Sequence, residues 1–406
     1  MSPHILFIGG ADHALRIPFF DAIQASGFRI TAAGTGDRHP FDQAKIAYHP
    51  YDFDRFLTIK GHAGAVRRIA QIAKEVCPDI VHSFDTKPNF LVPLAIRTKS
   101  PVVRTINGMG WVFSSDERTA SVVRPVYCAL QRLCSRWTSA TVFQNLADRE
   151  FFQAKHLLGR STGYLIRGSG IDVFKFAERR TSGEDKETLR AGLGVGTAKI
   201  VLTVSRLTKQ KGIPTLLKAA AIVCARRADV RFLLVGPRES EGRFAIDQVE
   251  IDRHRPYVIS TGSRTDIPAL LSLADVFAFP SEYREGIPRV LLEAGLAGLP
   301  IVTTRMPGCT DLVSEGWNGH LVDPGDHTAL AARILELLEN EAVARTMGAR
   351  SIAIVKSDFS MDGVVAQYLD VYARVLRHRT TTHAGMQEIS TRSLNRETRA
   401  TEPVDA

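Results

Sequence analysis

The stretch Phe279–Ala294, FPSEYREGIPRVLLEA, carries the strongest structural signal in the chain. An apolar strand is predicted to end near Pro280, and a polar loop with Glu285 and Gly286 follows it. A helix is predicted to begin near Pro288, because proline is favoured in the first helical turn. The order strand, loop, helix is a basic unit of α/β domains.

The same loop is a candidate anion site. The backbone N–H groups of Gly286, Ile287 and the first helical turn have no partner within the helix, and the helix dipole favours a phosphate there. Glu285 and Glu293 lie before and beyond this site. We therefore expect the two carboxylates to hold hydroxyl groups on either side of a diphosphate, as in the sugar and ribose of a nucleotide sugar.

On both sides of this segment, short apolar runs alternate with longer amphipathic ones. Most of the short runs are continuous, which is typical of parallel strands covered on both faces. The pattern predicts an α/β fold with doubly wound sheets. The candidate strands are His4–Ile8, Phe28–Ala33, Asp79–Ser83, Val102–Ile106, Ala140–Phe143, Ile200–Val204, Arg231–Val235, Val258–Thr261, Val276–Phe279 and Ile301–Thr304.

The alternation pauses once and restarts, which predicts two domains. We expect one Rossmann-like domain over residues 1–172, a polar linker over 173–197 and a second Rossmann-like domain over 198–360. A helix over 361–378 is expected to pack back toward the N-terminal domain, and the polar residues 379–406 to form a disordered tail. Two such domains leave a cleft at the carboxyl ends of both sheets, where ligands bind in open α/β folds.

The composition narrows the class of protein. The chain has 406 residues, of which 44% are hydrophobic and 23% charged, as in ordinary globular proteins. A disordered chain, a collagen-like repeat and a disulfide-rich mini-protein are excluded. No apolar run reaches the roughly 18 residues of a membrane span, and no secretory signal is expected at the N-terminus. Five cysteines without a C-x-x-C pair favour reduced thiols in a cytoplasmic setting.

Charge is distributed unevenly along the chain. Residues 1–190 contain 26 Lys and Arg against 18 Asp and Glu, so they carry +8 of the net +9. This asymmetry favours an anionic partner for the N-terminal half, such as a membrane surface, a pyrophosphate or a nucleic acid. The alternative is charge that only maintains solubility. No interleaved aromatic and basic residues indicate nucleic-acid binding.

Several motifs in a fixed order resemble the retaining glycosyltransferases of family 4, the glycosyl transferases group 1, which have the GT-B fold. The segment with Glu285 and Glu293 resembles their E-x7-E signature, and the resemblance extends over residues 3–375. It implies two Rossmann-like domains that face a central cleft, with the acceptor bound by the N-terminal domain and the nucleotide sugar by the C-terminal one. The supporting motifs are Gly168-Ser169-Gly170-Ile171-Asp172, Val204-Ser205-Arg206-Leu207, Lys211-Gly212, Leu234-Val235-Gly236, Gly262, Ala274-Asp275-Val276, Gly295–Thr304 and Pro307-Gly308 with Asp311.

The resemblance implies that Arg206 and Lys211 bind the donor diphosphate, and that Gly262, Arg264 and the 285–288 loop, including Pro288, contact the donor. An arginine binds two phosphate oxygens at once, and a lysine adds a point charge beside it. Both neutralise charge that grows on the leaving group, a task that a metal performs in other enzymes. One Asp-x-Asp triplet, Asp52-Phe53-Asp54, lies in the other half of the chain. No metal and no cofactor are therefore expected.

The N-terminal half supplies candidate ligand contacts. Gly9-Gly10 follows the first predicted strand, where a backbone without side chains allows close approach of the donor, and an ordinary tight turn is the alternative. The segment 82–87, HSFDTK, resembles the acceptor-domain segment of relatives that act on lipid-linked sugars. His82, Asp85 and Lys87 are therefore candidate acceptor contacts. For His82, a packed residue at a strand end is the alternative.

The segment Thr105–Gly110, TINGMG, ends the next predicted strand. Many relatives have a histidine near the position of Asn107, close to the reacting centre. An asparagine is not a general base, so its expected role is hydrogen bonding to the acceptor, with a turn residue as the alternative. The resemblance implies front-face attack, in which the leaving phosphate oxygen accepts the proton and no protein nucleophile is required.

A basic amphipathic helix is predicted around Pro125–Ser139. With a tryptophan near the interface, such a helix lies on an anionic bilayer, and the alternative is a helix that packs on the core with a solvated basic face. The apolar row consists of Val126, Leu130, Leu133 and Trp137, and the nearby arginines are Arg124, Arg132 and Arg136.

These patterns lead to one functional hypothesis. We expect a retaining glycosyltransferase that moves a hexose or N-acetylhexosamine from a nucleoside diphosphate sugar, with UDP favoured, to a polyprenyl-diphosphate-linked sugar in bacterial polysaccharide or oligosaccharide assembly. The protein is expected in the cytoplasm, peripheral on the inner face of the cell membrane. The alternatives are a transferase with a soluble acceptor, a phosphorylase, an epimerase and a catalytically silent nucleotide-sugar-binding protein.

Overall fold

The computed structural model describes residues 2–378, apart from 53–58, 115–117, 179–182, 239–241 and 243. The described chain forms two parallel sheets, and buried side chains form a hydrophobic core on each face of each sheet. The prediction of two α/β domains with doubly wound sheets is confirmed. The predicted tail, 379–406, lies outside the described residues.

The first sheet has seven strands in the order β3-β2-β1-β4-β5-β6-β7. All neighbouring strands are parallel, and Ile8 of β1 is paired with Ala33 of β2 and Ser83 of β4. The strands are β1 His4–Ile8, β2 Arg29–Gly34, β3 Ala47–Pro50, β4 Ile80–Phe84, β5 Val102–Ile106, β6 Ala140–Phe143 and β7 Thr162–Leu165.

The second sheet has six strands in the order β10-β9-β8-β11-β12-β13, again all parallel. The strands are β8 Lys199–Val204, β9 Val230–Val235, β10 Val258–Ser260, β11 Val276–Phe279, β12 Ile301–Thr304 and β13 Gly319–Val322.

The strands that the sequence pattern missed are β3, β7 and β13, and each lies at the edge of its sheet. Their sequences are AYHP, TGYL and GHLV, which contain proline, glycine or histidine instead of a continuous β-branched run. Edge strands need less apolar surface and tolerate proline and glycine, so they carry a weaker periodic signal.

Helices connect the strands and cover both sheets. They are α1 Ile17–Ala25, α2 His39–Gln43, α3 Ile59–Val76, α4 Pro88–Ile96, α5 Trp111–Ser114, α6 Arg118–Cys134, α7 Leu146–Ala154, α8 Val173–Glu178, α9 Gly183–Leu193, α10 Ile213–Arg226, α11 Gln248–Asp252, α12 Ile267–Leu273, α13 Arg289–Leu296, α14 His327–Glu339, α15 Glu341–Asp358 and α16 over residues 361–378. Short 3₁₀ turns cover Ala11–Arg16, Ser135–Trp137 and Lys209–Lys211. Among the described residues, no helix combines the length and apolar composition that crossing a bilayer requires.

The segment 173–197, predicted as a linker, contains the helices α8 and α9. The α9 sequence consists largely of good helix formers such as Glu, Lys, Leu and Ala. Leu189 and Leu193 of this helix pack against the core of the second domain, which explains why a polar stretch is ordered.

Helix α16 returns the chain to the first domain. Ile171 donates its N–H to the Phe359 carbonyl at 2.9 Å, and Met361 donates to the Ile171 carbonyl at 3.0 Å, so the two crossing segments run side by side. Tyr368 and Tyr372 of α16 are buried in the core that also contains Phe7. The C-terminal helix is therefore an integral part of the N-terminal domain core.

Each sheet reverses its winding beside its first strand. In the first sheet β1 neighbours β4, and in the second β8 neighbours β11. The loops after these four strands emerge at the carboxyl edges of the sheets, at the point where open α/β sheets bind ligands. Gly9, Asp85, Lys211 and Glu285 follow β1, β4, β8 and β11, respectively.

Candidate active site

A cavity of about 460 Å³ lies between the two domains. One wall comes from the N-terminal domain and includes Arg16, Asp85 and Asn107. The other wall is the 283–289 loop that follows β11. The predicted residues that the structure brings together in this cavity are Asp85, Asn107, Glu285, Gly286, Ile287 and Pro288.

Lys211 and Glu285 form an ion pair at the carboxyl edge of the second sheet. The Lys211 Nζ contacts Glu285 Oε1, and the Ser281 hydroxyl donates to the same oxygen at 2.9 Å. Lys211 is buried, and its ammonium lies 5.4 Å from the centroid of the Phe279 ring. Since the side chain is enclosed and its charge is paired, this ammonium has a fixed position beside the cavity wall.

Arg206 and Arg264 occupy different positions from Lys211. Arg206 is exposed on the loop after β8 and lies outside the walls of this cavity. Arg264 forms a two-pronged ion pair with Asp266, at 2.8 and 2.5 Å, and the hydrogen bond lowers the pKa of the Asp266 carboxyl. Gly262 has a positive φ of 70° and open space around the position of a Cβ atom. None of these three residues lines the cavity.

The predicted anion site at the 285–288 loop requires correction. Gly286 donates its N–H to the carbonyl of Asn107 in the opposite domain, so this group is not available to a phosphate in the present conformation. The helix α13 begins at Arg289, with Pro288 as its cap in an extended conformation. The prediction missed this contact because it considered the loop without the neighbouring domain.

Glu293 lies on α13, one turn beyond Arg289. Its Oε1 accepts a hydrogen bond from Arg289 Nε at 3.1 Å. Arg289 itself lines the cavity. The two predicted carboxylates are therefore both paired with cations, Glu285 with Lys211 and Glu293 with Arg289.

Two glycines allow the domains to approach closely at this loop. Gly108 has a φ of 130°, and a Cβ atom there would lie 2.7 Å from the Gly286 nitrogen. A Cβ atom on Gly286 would lie 2.5 Å from the Asn107 carbonyl oxygen. Any side chain at either position would force the loop away from the opposite domain, since real Cβ atoms do not approach so closely.

The sequence reasoning missed a second set of interdomain contacts, made by the start of α7. Asn145 caps this helix, and its amide donates to the Glu285 carbonyl at 2.9 Å. Asp148 accepts a hydrogen bond from Arg284 Nε at 2.7 Å. Burial raises the pKa of Asp148, although the Arg284 guanidinium opposes the shift. An asparagine cap before an amphipathic run was visible in the sequence, but its partner was not.

Asp85 organises the N-terminal wall of the cavity, which we call the acceptor wall after the role expected for it. Its φ is 68°, and its carboxylate accepts hydrogen bonds from Arg16 Nη2 at 2.6 Å, Gly10 N at 3.0 Å and Asn107 Nδ2 at 3.0 Å. Burial works to raise the pKa of Asp85, but Arg16 and the Gly10 N–H outweigh it and lower the pKa below its ordinary value. Arg16, which the sequence reasoning did not single out, is the principal partner of this carboxylate.

Asn107 has one hydrogen-bonding atom to spare. Its Nδ2 is used by Asp85, while its buried Oδ1 has no hydrogen-bond partner among the described residues. Asn107 lines the cavity, and its Oδ1 is buried there without a donor, which is uncommon for a buried polar atom.

His82 is not a cleft residue, which corrects the expectation that it faces the acceptor. It is fully buried in β4, and its ring nitrogens contact the Tyr372 hydroxyl at 2.7 Å and the Thr105 hydroxyl at 2.8 Å. Burial lowers the pKa of His82 well below 6.5, so the ring is neutral. The side chain joins the first sheet to α16, as the alternative interpretation anticipated.

Gly9 and Lys87 also lie outside the walls of the cavity. A Cβ atom at Gly9 would collide with the ring of His13, so the close approach there is to a side chain of the same domain. Lys87 is half-buried at the start of α4. Gly10 donates its N–H to Asp85 at 3.0 Å, so its observed contact is with the N-terminal wall of the cavity.

No group of three or more His, Cys, Asp or Glu side chains in the described part of the chain is arranged to hold a metal ion. Two residues of the Asp-x-Asp triplet, Phe53 and Asp54, lie outside the described residues. The cations that the structure brings to the cleft are instead side chains, Arg16, Lys211, Arg284 and Arg289.

Two family models match the chain, one in each domain. Residues 4–144 match the model described as glycosyl transferase 4-like, and residues 185–353 match the model described as glycosyl transferases group 1. Together the two models cover most of the described chain. The protein therefore consists of a glycosyl transferase 4-like domain followed by a glycosyl transferases group 1 domain.

Individual relatives agree with this assignment. One relative is the N,N'-diacetylbacillosaminyl-diphospho-undecaprenol alpha-1,3-N-acetylgalactosaminyltransferase of Campylobacter jejuni, to which the chain is 26% identical over 312 residues. The matched residues cover 76% of this chain and 81% of that protein. Another relative is the UDP-Gal:alpha-D-GlcNAc-diphosphoundecaprenol alpha-1,3-galactosyltransferase of Escherichia coli, to which the chain is 27% identical over 270 residues. Here the matched residues cover 65% of this chain and 67% of that protein.

The fold has solved counterparts. The crystal structure of Anabaena HepE in complex with UDP-glucose aligns with a TM-score of 0.77 at 24% identity, over 91% of this chain and 99% of that one. The crystal structure of WaaG, a glycosyltransferase of lipopolysaccharide biosynthesis, aligns with a TM-score of 0.65 at 16% identity, over 90% and 99%. The GT-B fold predicted from the sequence motifs is confirmed.

Proposed function

We propose that the protein transfers a hexose or N-acetylhexosamine from a UDP-sugar to a polyprenyl-diphosphate-linked sugar in the assembly of a bacterial polysaccharide or oligosaccharide. The observation that carries this proposal is the Lys211–Glu285 pair, which lies at the switch point of one domain and faces Asp85 and Asn107 of the other across one cavity. The Campylobacter jejuni and Escherichia coli relatives, by their names, act on undecaprenyl-diphosphate-linked sugars, which supports the acceptor class.

The donor is expected to bind on the side of the second sheet. Lys211 and the exposed Arg206 follow β8 and supply positive charge for a diphosphate. In the transition state the bond between the anomeric carbon and the β-phosphate oxygen breaks, and negative charge grows on that oxygen. A preorganised ammonium stabilises this charge without a metal ion.

The acceptor is expected to bind on the side of the first sheet. The acceptor hydroxyl forms the new bond to the anomeric carbon on the face that the leaving group vacates, so the configuration is retained. Its proton passes to the leaving phosphate oxygen, because Asn107 is not a base. The free Oδ1 of Asn107 orients the hydroxyl, and Arg16 and Asp85 hold Asn107 in position.

The cellular setting follows from the acceptor class and the charge. A polyprenyl-linked sugar is held in a membrane, and the N-terminal half of the chain carries +8 of the net +9. A basic surface is attracted to the anionic lipids of a cytoplasmic leaflet. We therefore place the protein in the cytoplasm, peripheral on the inner face of the cell membrane.

The test is turnover with a panel of UDP-sugars and GDP-sugars and a short-chain polyprenyl-diphosphate sugar. We expect one UDP-sugar to be consumed only when the lipid-linked acceptor is present, with an α-linked product. Lys211→Ala or Glu285→Ala should lower kcat by about 10²-fold to 10³-fold. Lys209→Ala, an exposed lysine in the same turn, is the matched control and should leave kcat unchanged.

Three results contradict the proposal. Transfer to a soluble sugar at a higher rate than to the lipid-linked one would assign a soluble acceptor. Binding of UDP-sugars without turnover across the panel would assign a silent nucleotide-sugar-binding protein. Unchanged rates in Lys211→Ala, Glu285→Ala and Arg206→Ala would show that the reaction occurs elsewhere.

A further inference from the structure

Helix α6 presents an apolar face to solvent. Four large side chains on it are exposed, Val122 by 72%, Val126 by 56%, Leu130 by 37% and Leu133 by 39%. Their spacing of four, four and three residues places them along one side of the helix. We define the outer face of α6 by these residues together with the exposed Pro125 and Ala129. It extends for about 16 Å along the helix axis.

The opposite side of α6 is buried and mixed in polarity. Ala120 and Cys134 face inward together with Gln131, which accepts a hydrogen bond from Arg104 Nη1 at 2.8 Å. Tyr127, also buried, lines the cleft together with Gln131. The helix is therefore packed on the domain through this inner side, and the apolar side chains of the outer face are additional to it. A contiguous apolar stripe on the solvent side of a helix indicates that the outer face has a partner.

Charge around the outer face selects the kind of partner. Residues 118–147 contain no aspartate or glutamate, although Asp116 and Glu117 directly precede them. Arg132 and Arg136 are exposed at the C-terminal end of the helix, beside Leu133. An apolar stripe flanked by arginines complements an anionic bilayer, whose headgroups attract the cations while its acyl region accepts the apolar side chains. A second copy of the same face would bring like charges together.

The structure also corrects which residues form this face. Arg124, predicted to lie near the lipid, turns inward and donates to the Val112 carbonyl at 2.8 Å. Trp137 is half-buried, 5.9 Å from the Arg97 guanidinium. Val122 takes part instead, one turn before the predicted apolar row.

We infer that the outer face of α6 docks on an anionic lipid bilayer. One helix separates this face from the cleft, since Tyr127 and Gln131 line the cavity from the other side. Docking therefore holds the acceptor wall next to the membrane, within reach of a headgroup-linked sugar. The inference deepens the proposed function by naming the surface that meets the membrane.

The test is co-sedimentation of the full chain with vesicles of phosphatidylcholine, with and without phosphatidylglycerol. The buffer contains no sugar donor and the vesicles contain no sugar acceptor. We expect the wild type to sediment with the anionic vesicles. The double variant Val126→Gln/Leu130→Gln should lose binding to the vesicles by about tenfold, because it places two amides in the acyl region. Val249→Gln, at an exposed valine of the second domain, is the matched control and should bind as the wild type does.

A charge variant separates the electrostatic contribution to vesicle binding from the apolar contribution. Arg132→Gln/Arg136→Gln should lower binding to phosphatidylglycerol vesicles by about tenfold and flatten its dependence on salt. A fluorophore on Ala129→Cys, in a chain that also carries Cys77→Ser and Cys128→Ser so that the label is specific, provides a readout that needs no loss of binding. Its emission should shift to the blue when anionic vesicles are added.

Several outcomes overturn the inference. One is a wild type that stays in the supernatant, and another is a Val126→Gln/Leu130→Gln variant that binds like the control. A dimer in light scattering that this variant dissociates would assign the face to a second copy of the chain. Turnover with a short-chain, water-soluble acceptor is measured in parallel and should be unchanged in the variant. If turnover is absent in all proteins while vesicle binding follows the expectation, the proposed function fails and the docking surface stands.

Discussion

Arg284 of the second domain donates from Nε to Asp148 of the first domain over 2.7 Å, and the aspartate is completely buried. Arg284 directly precedes Glu285, the partner of Lys211. The carbonyl of Arg284 also accepts a hydrogen bond from the N–H of Gly110 at 3.0 Å. The loop that carries the candidate catalytic carboxylate is therefore held from both domains at once.

This ion pair is expected to support activity, because it holds the loop with Glu285 against the first domain. Asp148→Asn removes the charge and leaves the Arg284 guanidinium with a weaker partner, which should lower the free energy of unfolding by about 1–3 kcal/mol. If this interdomain contact loses about 1.4 kcal/mol of its stabilising free energy, kcat/KM should fall by about tenfold. Urea unfolding and steady-state kinetics measure the two effects.

Asp370→Asn is the control for this prediction. Asp370 pairs with Arg374 at 2.8 Å on α16, but both side chains are more than half exposed, and such pairs contribute little. We expect unchanged stability and rate. If Asp148→Asn behaves like this control, the interdomain pair does not position the loop.

Asn107→Ala should impair acceptor use selectively. It removes the free Oδ1 from the cavity wall, and the loss of one hydrogen bond corresponds to about tenfold in kcat/KM for the acceptor. Affinity for UDP, measured by calorimetry, should be unchanged because Asn107 belongs to the opposite wall. An equal loss of UDP affinity would instead indicate that the Asn107 side chain fixes its own backbone carbonyl, which accepts the Gly286 N–H of the opposite loop.

Asp85 should make stability depend on pH in the acid range. Its pKa is lower in the folded protein than the ordinary 3.8, so its contribution is complete above that value and is lost as the pH falls through the folded pKa. The stability difference between the wild type and Asp85→Asn should therefore be constant near neutral pH and shrink below pH 3.8. Chemical denaturation between acid and neutral pH measures it.

His13, which lies near Asp85, also titrates in the acid range. His13 is buried beside it, and burial lowers the pKa of His13 to about 3, so its protonation destabilises both proteins in acid. A difference that persists unchanged to the lowest pH would show that the charge of Asp85 is not what stabilises the acceptor wall.

Tyr372→Phe tests the structural role of His82. The variant removes the hydroxyl that contacts the buried imidazole at 2.7 Å, and it should lower the free energy of unfolding by about 1 kcal/mol. Since both residues lie in the core of the first domain, kcat/KM should remain within the error of the wild-type value. A large loss of activity at unchanged stability would indicate that His82 takes part in acceptor binding.

The sequence alone was sufficient for the fold class and for part of the site. Nearly continuous apolar strands such as His4–Ile8 and Val276–Phe279 are typical of strands buried on both faces, so the parallel sheets follow from local pattern. Lys211 and Glu285 were recognisable because they belong to motifs that resemble those of the family, and both lie on loops that follow strands β8 and β11.

The tertiary structure decided what depends on a partner distant in the chain. Whether the Gly286 N–H is free depends on Asn107, and whether Asp148 is a surface charge or a buried anchor depends on Arg284. The direction in which α6 exposes its apolar residues was ambiguous too, because a helical period specifies a face without stating what lies against it. Periodicity reports the local conformation, whereas burial and pairing are properties of the packed whole.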